Sequence, residues 1–135
     1  MKDLCGIFGI YSKEKRDISK IIYYGLYALQ HRGQVSAGIA INNNGYIDYY
    51  KGLGLAHEVL DKEILNRLRG DIGIGHIRSG SSVETTTVNA EPLVVGYKQG
   101  ALALAYDGSL VNYSELREKM EDNGVIFQSS IDTEV

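Results

Sequence analysis

The chain has 135 residues, 44% hydrophobic and 23% charged, which is enough for one domain with a core and argues against a disordered segment. Fourteen basic against 17 acidic residues leave a net charge of −3, so nucleic acid and anionic membranes are not expected partners. The one cysteine can close no internal disulfide and cannot by itself hold a structural zinc or an iron–sulfur cluster, which makes a reducing compartment, the cytoplasm, the expected location.

Met1-Lys2-Asp3-Leu4 lacks the apolar core of a signal peptide. Residues 4–11 read as a buried strand with glycines at 6 and 9, and glycine in a strand often marks close approach of another backbone or a ligand. Residues 17–31 read as a helix: Ile18, Ile21, Ile22, Gly25, Leu26 and Leu29 share one face. Asp17 is placed to cap its start and Gly33 to end it. Its apolar stretch is broken by Lys20 and is too short to span a bilayer. Gly25 costs a helix roughly 1 kcal/mol against alanine, which implies a close contact there. Strands at 36–41 and 46–51 flank Asn42-Asn43-Asn44-Gly45, a turn suited to positive φ, and form an antiparallel hairpin. Residues 58–69 read as one short helix and 71–77 as another glycine-spaced strand. Residues 78–89 carry no apolar period and read as a long loop of the kind that often serves as a lid. Strands follow at 93–97 and 101–106, then a corner at Asp107-Gly108. A helix starts at Asn112 with Glu115 in a capping box, and a last strand is expected at 125–129. Hairpins mixed with amphipathic helices point to an α+β fold with mainly antiparallel sheets.

Cys5 has two readings. A strand cysteine is commonly a small buried hydrophobe. Alternatively, once residues 1–4 are removed, it carries a thiol and a free α-amine on one residue. An α-amine titrates near about 7.7–8.0, the range of a useful base at neutral pH. His31, His57 and His76 match no ligand spacing, and a structural or solvent role is expected rather than a metal site. Arg78, at a strand end, is either a surface arginine or a bidentate grip on a carboxylate. Asp132 is either a solvated strand end or a holder for an ammonium group. Gly108 is either a plain turn glycine or a backbone N–H donor for an oxyanion.

A series of motifs brings these residues together. It runs Cys5-Gly6-Ile7-Phe8-Gly9-Ile10, then Tyr23-Tyr24-Gly25-Leu26-Tyr27-Ala28-Leu29-Gln30-His31-Arg32-Gly33-Gln34, then Ser36-Ala37-Gly38-Ile39-Ala40. It continues with Gly73-Ile74-Gly75-His76-Ile77-Arg78, Asn89-Ala90-Glu91-Pro92-Leu93, Leu102-Ala103-Leu104-Ala105, Gly108-Ser109-Leu110-Val111-Asn112, and Ile126-Phe127-Gln128 leading to Asp132-Thr133-Glu134-Val135. In this order, over nearly the whole chain, the series resembles the glutaminase domain of amidophosphoribosyltransferases, which are class II glutamine amidotransferases of the N-terminal-nucleophile hydrolase type. The resemblance implies a partial αββα sandwich, with residues 1–4 as a leader and 5–135 as the N-terminal part of the glutaminase domain. It implies that Cys5 attacks the side-chain amide of glutamine. Arg78 would hold the substrate carboxylate, Asp132 its ammonium, and the Gly108 N–H the oxyanion, with residues 78–89 as the closing segment.

No cofactor is implied for this chain; magnesium would belong to the phosphoribosyltransferase domain, which the chain lacks. The implied partners are glutamine and a further C-terminal segment or phosphoribosyltransferase unit, and a homo-oligomer is left open for full-length relatives. The sequence departs from the family pattern at Asp107, where Asn normally supplies an oxyanion donor, at Ser79-Gly80-Ser81-Ser82-Val83, where an aromatic residue normally follows the arginine, at Val35, and in stopping at Val135. Two other readings are carried forward: a fold-retaining binding or regulatory module without catalysis, and a glutaminase domain of another class II branch.

Overall fold

The structure, a computed structural model, describes residues 5–80 and 86–135. Four antiparallel strands form the central sheet: β1 (Gly6–Tyr11), β2 (Ser36–Asn43), β3 (Tyr46–Leu53) and β4 (Ile72–Arg78), in spatial order β1-β4-β2-β3. Helix α1 (Ser19–Leu29) packs on one face, with two short helices, α2 (Ala56–Val59) and α3 (Lys62–Arg67), beside it. A second, two-stranded sheet is the hairpin of β5 (Leu93–Tyr97) and β6 (Gly100–Leu104), and α4 (Tyr113–Asp122) follows. No helix among the described residues is long and apolar enough to cross a membrane.

The pleat of β4 sorts its side chains between two tasks. Successive residues of a strand point to opposite faces. Gly73 and Gly75 lie under Ile22 and Leu26 of α1, and Ile77 joins the same core. Ile74, His76 and Arg78 therefore point away from α1. The register carries this through the sheet: Gly6 pairs with Ile77, while Ala37, Ile39 and Ile41 of β2 pair with Ile77, Gly75 and Gly73. Ile18, Ile22, Leu26, Ile39, Ile41 and Ile77 are fully buried between helix and sheet. Each contributes about 1.5–3 kcal/mol of transfer free energy. The close contact expected at Gly25 is with Phe8 of β1, whose ring occupies the space a β-carbon would need.

Four local expectations are corrected. Asp17 does not cap α1: its carboxylate accepts from Arg69 Nη1 at 2.6 Å and from the Gly70 N–H at 3.2 Å, tying α1 to the start of β4. The single helix expected at 58–69 is two, because the Asp61 carboxylate accepts from the Ile64 N–H at 2.8 Å and caps a new helix. Asn112 stands at the start of α4 without a side-chain capping bond. The strand expected at 125–129 is absent: Glu134 turns back and accepts from the N–H groups of Gln128 and Ser129, each at 2.7 Å, satisfying donors that a strand would have offered to a neighbour. The turn at Asn44 and Gly45 has the positive φ expected of it, 52° and 94°.

Candidate active site

Cys5 continues β1 by one residue, so the pleat turns it to the face of His76 and Arg78. Both ends of its backbone are held. Its carbonyl accepts from Arg32 Nε at 2.9 Å, and its N–H donates to Asp107 Oδ1 at 3.1 Å. Arg32 Nη2 lies 3.5 Å from the other Asp107 oxygen and closes a ring of three residues. Arg32 and Asp107 are each about one-third exposed. Such a pair adds under about 1 kcal/mol to stability, so its effect is geometric: it fixes where Cys5 sits.

Cys5 opens onto a cleft of about 1140 Å³ whose walls include Arg78, Glu91, Asp107, Gly108 and Asp132. The residues predicted to form the site, drawn from four separate elements, thus converge on one space. Arg78 ends β4, and its Nη1 donates to the Asn89 carbonyl at 2.9 Å, leaving the rest of the planar guanidinium fork beside the cleft. Asp132 lies in a 3-10 turn, Asp132–Glu134, and its Oδ2 accepts from the Leu110 N–H at 2.8 Å. Gly108 follows Asp107 on the cleft wall, and the Tyr106 phenol occupies the place a β-carbon at 108 would take. Of the segment expected to close the site, 81–85 lies outside the described residues, and Thr87–Asn89 is a 3-10 turn.

Burial pushes the Cys5 thiol above its ordinary value, and the Asp107 and Glu91 carboxylates add to the shift. The Ser79 N–H and the Arg78 guanidinium pull the other way without cancelling it. At neutral pH the thiol holds its proton and needs a base to act as a nucleophile.

Two further residues belong to this site, and neither role was drawn from the sequence. Arg32 acts on the Cys5 backbone. Glu91, 4% exposed, accepts from the Tyr106 N–H at 3.1 Å and from Thr133 Oγ1 at 2.8 Å. Burial pushes the Glu91 carboxyl above the usual range. His76 is fully buried, with Nε2 3.2 Å from the Tyr106 carbonyl and 3.5 Å from Glu91 Oε2. Burial lowers it to about 4, so the ring is neutral at pH 7 and its contact with Glu91 is not an ion pair. His31 and His57 are exposed.

The family model of the glutamine amidotransferase domain matches residues 55–135. The chain belongs to the glutamine amidotransferase domain family. It is 50% identical over 132 residues to the amidophosphoribosyltransferase of Methanocaldococcus jannaschii, a match covering 98% of this chain and 28% of that protein. It is 42% identical over 135 residues to amidophosphoribosyltransferase 2, chloroplastic, of Arabidopsis thaliana, covering 99% and 24% respectively. Among solved structures, it superposes with a TM-score of 0.85 at 40% identity on the glutamine phosphoribosylpyrophosphate amidotransferase of B. subtilis complexed with ADP and GMP. A second structure, described as the allosteric regulatory enzyme of purine biosynthesis, gives 0.88 at 39%. Each superposition covers 95% of this chain and 27% of the other. The chain thus corresponds to the N-terminal glutamine amidotransferase domain of these enzymes, and its α+β fold is that of the N-terminal-nucleophile hydrolases.

Proposed function

We propose that this glutamine amidotransferase domain hydrolyses the side-chain amide of glutamine to glutamate and ammonia, with Cys5 as nucleophile. The observation that carries the reading is the seating of Cys5: both backbone ends are clamped, and its side chain opens onto a cleft shared with a cationic and an anionic residue. Residues 1–4 act as a leader whose removal makes the Cys5 nitrogen an α-amine. That amine takes the thiol proton as sulfur bonds to the amide carbon. The C–N bond then breaks, ammonia departs with the proton, and a thioester remains. Water attacks the thioester carbon, the C–S bond breaks, and glutamate leaves with the thiol restored. Arg78 holds the α-carboxylate and Asp132 the α-ammonium, a pairing of charges that orients one amino acid in the cleft. The Gly108 N–H stabilises the oxyanion. Asp107 accepts from the Cys5 nitrogen, as an Asn carbonyl would, but has no N–H₂ to offer the oxyanion.

The relatives are named amidophosphoribosyltransferases, and we infer that in a larger enzyme of that kind the ammonia passes to a phosphoribosyl acceptor. This chain spans 28% of the first of those proteins, and that transfer is proposed for the larger enzyme.

The test is glutamate release from glutamine by protein whose first residue is Cys5, with mass spectrometry after exposure to a glutamine-like electrophile. Release and a single adduct on Cys5 are expected, and Cys5→Ala or a retained leader abolishes both. Protein with a free Cys5 amine that gives neither release nor adduct would overturn the reading.

A further inference from the structure

Four segments meet around Glu91. Residues 89–93 cross the face of the central sheet opposite α1, directly over Gly38, where a β-carbon would run into the Glu91 carbonyl oxygen and the Pro92 ring. Lys51, paired with Gly38 across the β2–β3 ladder, donates from Nζ to the Ala90 carbonyl at 2.6 Å and the Pro92 carbonyl at 3.3 Å. The backbone on both sides of Glu91 is thereby pinned to the sheet. The Asn89 side chain exchanges hydrogen bonds with Ser130, 2.9 Å to its hydroxyl and 3.2 Å from its N–H. Glu91 itself points inward, and one oxygen, Oε1, accepts from both Tyr106 N–H and Thr133 Oγ1.

Those two donors are the neighbours of the site. Tyr106 leads into Asp107 and Gly108, and Thr133 follows Asp132. Asp132 in turn accepts from the Leu110 N–H. A closed circuit results: from Glu91 to Tyr106, along the chain to Leu110, across to Asp132, on to Thr133, and back to Glu91.

We propose that Glu91 is a positioning residue for glutamine turnover, whose Oε1 holds the oxyanion corner at 106–108 and the ammonium-holding turn at 132–134 in one fixed relation. The proposal rests on the glutaminase reading. Glu91 acts through Gly108 at one end of the substrate and through Asp132 at the other. Glutamine at this position keeps an oxygen that can accept both bonds. Alanine leaves a backbone N–H and a hydroxyl without their acceptor, and both segments relax.

The test compares Glu91→Gln, Glu91→Ala and Thr133→Val in the full protein. Glu91→Ala lowers kcat/KM for glutamine by about tenfold or more, through a raised KM and a lowered kcat together, whereas Glu91→Gln stays within about threefold of the parent. Thr133→Val, which cuts only the ammonium-side link, raises KM and leaves kcat within about twofold. Amide hydrogen exchange reads the circuit without turnover: the Tyr106 N–H exchanges faster in Glu91→Ala and at the parental rate in Glu91→Gln. The proposal is overturned if Glu91→Ala keeps parental KM, kcat and Tyr106 exchange. It is equally overturned if Glu91→Gln is as damaging as Glu91→Ala, since a general loss of stability then explains both. A parent that releases no glutamate counts against the glutaminase reading instead, and the circuit is then judged on exchange.

Discussion

At the scale of single residues, Asp107 is where this site departs most from the chemistry proposed for it. Its carboxylate accepts from the Cys5 nitrogen and is answered by Arg32, so it seats Cys5, the proposed nucleophile. It cannot donate to an oxyanion, and one missing donor costs about 10²–10³ in rate. Asp107→Asn keeps an acceptor for the Cys5 nitrogen and adds an N–H₂, and kcat for glutamine should rise towards that factor. A carboxylate beside an ammonium also favours the charged amine, so the acid limb of the kcat–pH profile should move to lower pH in the variant. Steady-state kinetics across pH check both, and an unchanged kcat would show that the oxyanion draws nothing from this position. Cys5, Arg78, Asp107, Gly108 and Asp132 were singled out because their motifs are local strings of sequence, and the structure places all five on one cleft, on which the roles proposed for them rest. Arg32 and Glu91 lie in equally recognisable strings, yet their roles were not read. They act on atoms 27, 75, 15 and 42 residues away, two of those contacts being to backbone groups, and no local pattern encodes such a partner.

At the scale of elements, the helix period and strand alternation gave α1 and the central strands nearly as found. Three of the four failures come where a carboxylate took a partner that helix and strand periods do not register. Asp17 left its helix for Arg69 and Gly70, Asp61 split a helix, and Glu134 took the donors of a strand. Gly25 tests the packing of α1 on β1. Alanine there gains about 1 kcal/mol of helix propensity. It also drives a methyl into the Phe8 ring, and overpacking of this kind costs about 1–3 kcal/mol. The second effect should win: Gly25→Ala is expected to lower the urea midpoint without changing the slope. A stabilised variant would mean that Phe8 can turn aside at no cost.

At the scale of the molecule, burial ties stability to pH. His76 titrates near 4 when folded, against an ordinary value of 6.5. The unfolded chain therefore takes up this proton first, and the stability contributed by neutral His76 is complete above about pH 6.5 and lost as pH falls towards 4. The loss amounts to about 3 kcal/mol. The raised carboxyl of Glu91 works in the opposite sense: the folded state accepts its proton before the unfolded chain does, so acidification relieves part of the cost of burying that charge. Unfolding free energies measured in urea from pH 7 to 4 should show the parent losing more stability than His76→Gln, and parallel curves would refute the assignment. The pleat of β4 has one further consequence, for how this gene can change length. Helix-facing residues and site-facing residues alternate along 72–78, so losing a single residue there exchanges the two sets and sends His76 or Arg78 into the apolar layer. Deletions in the coding sequence of β4 can preserve the assignment of faces only two codons at a time.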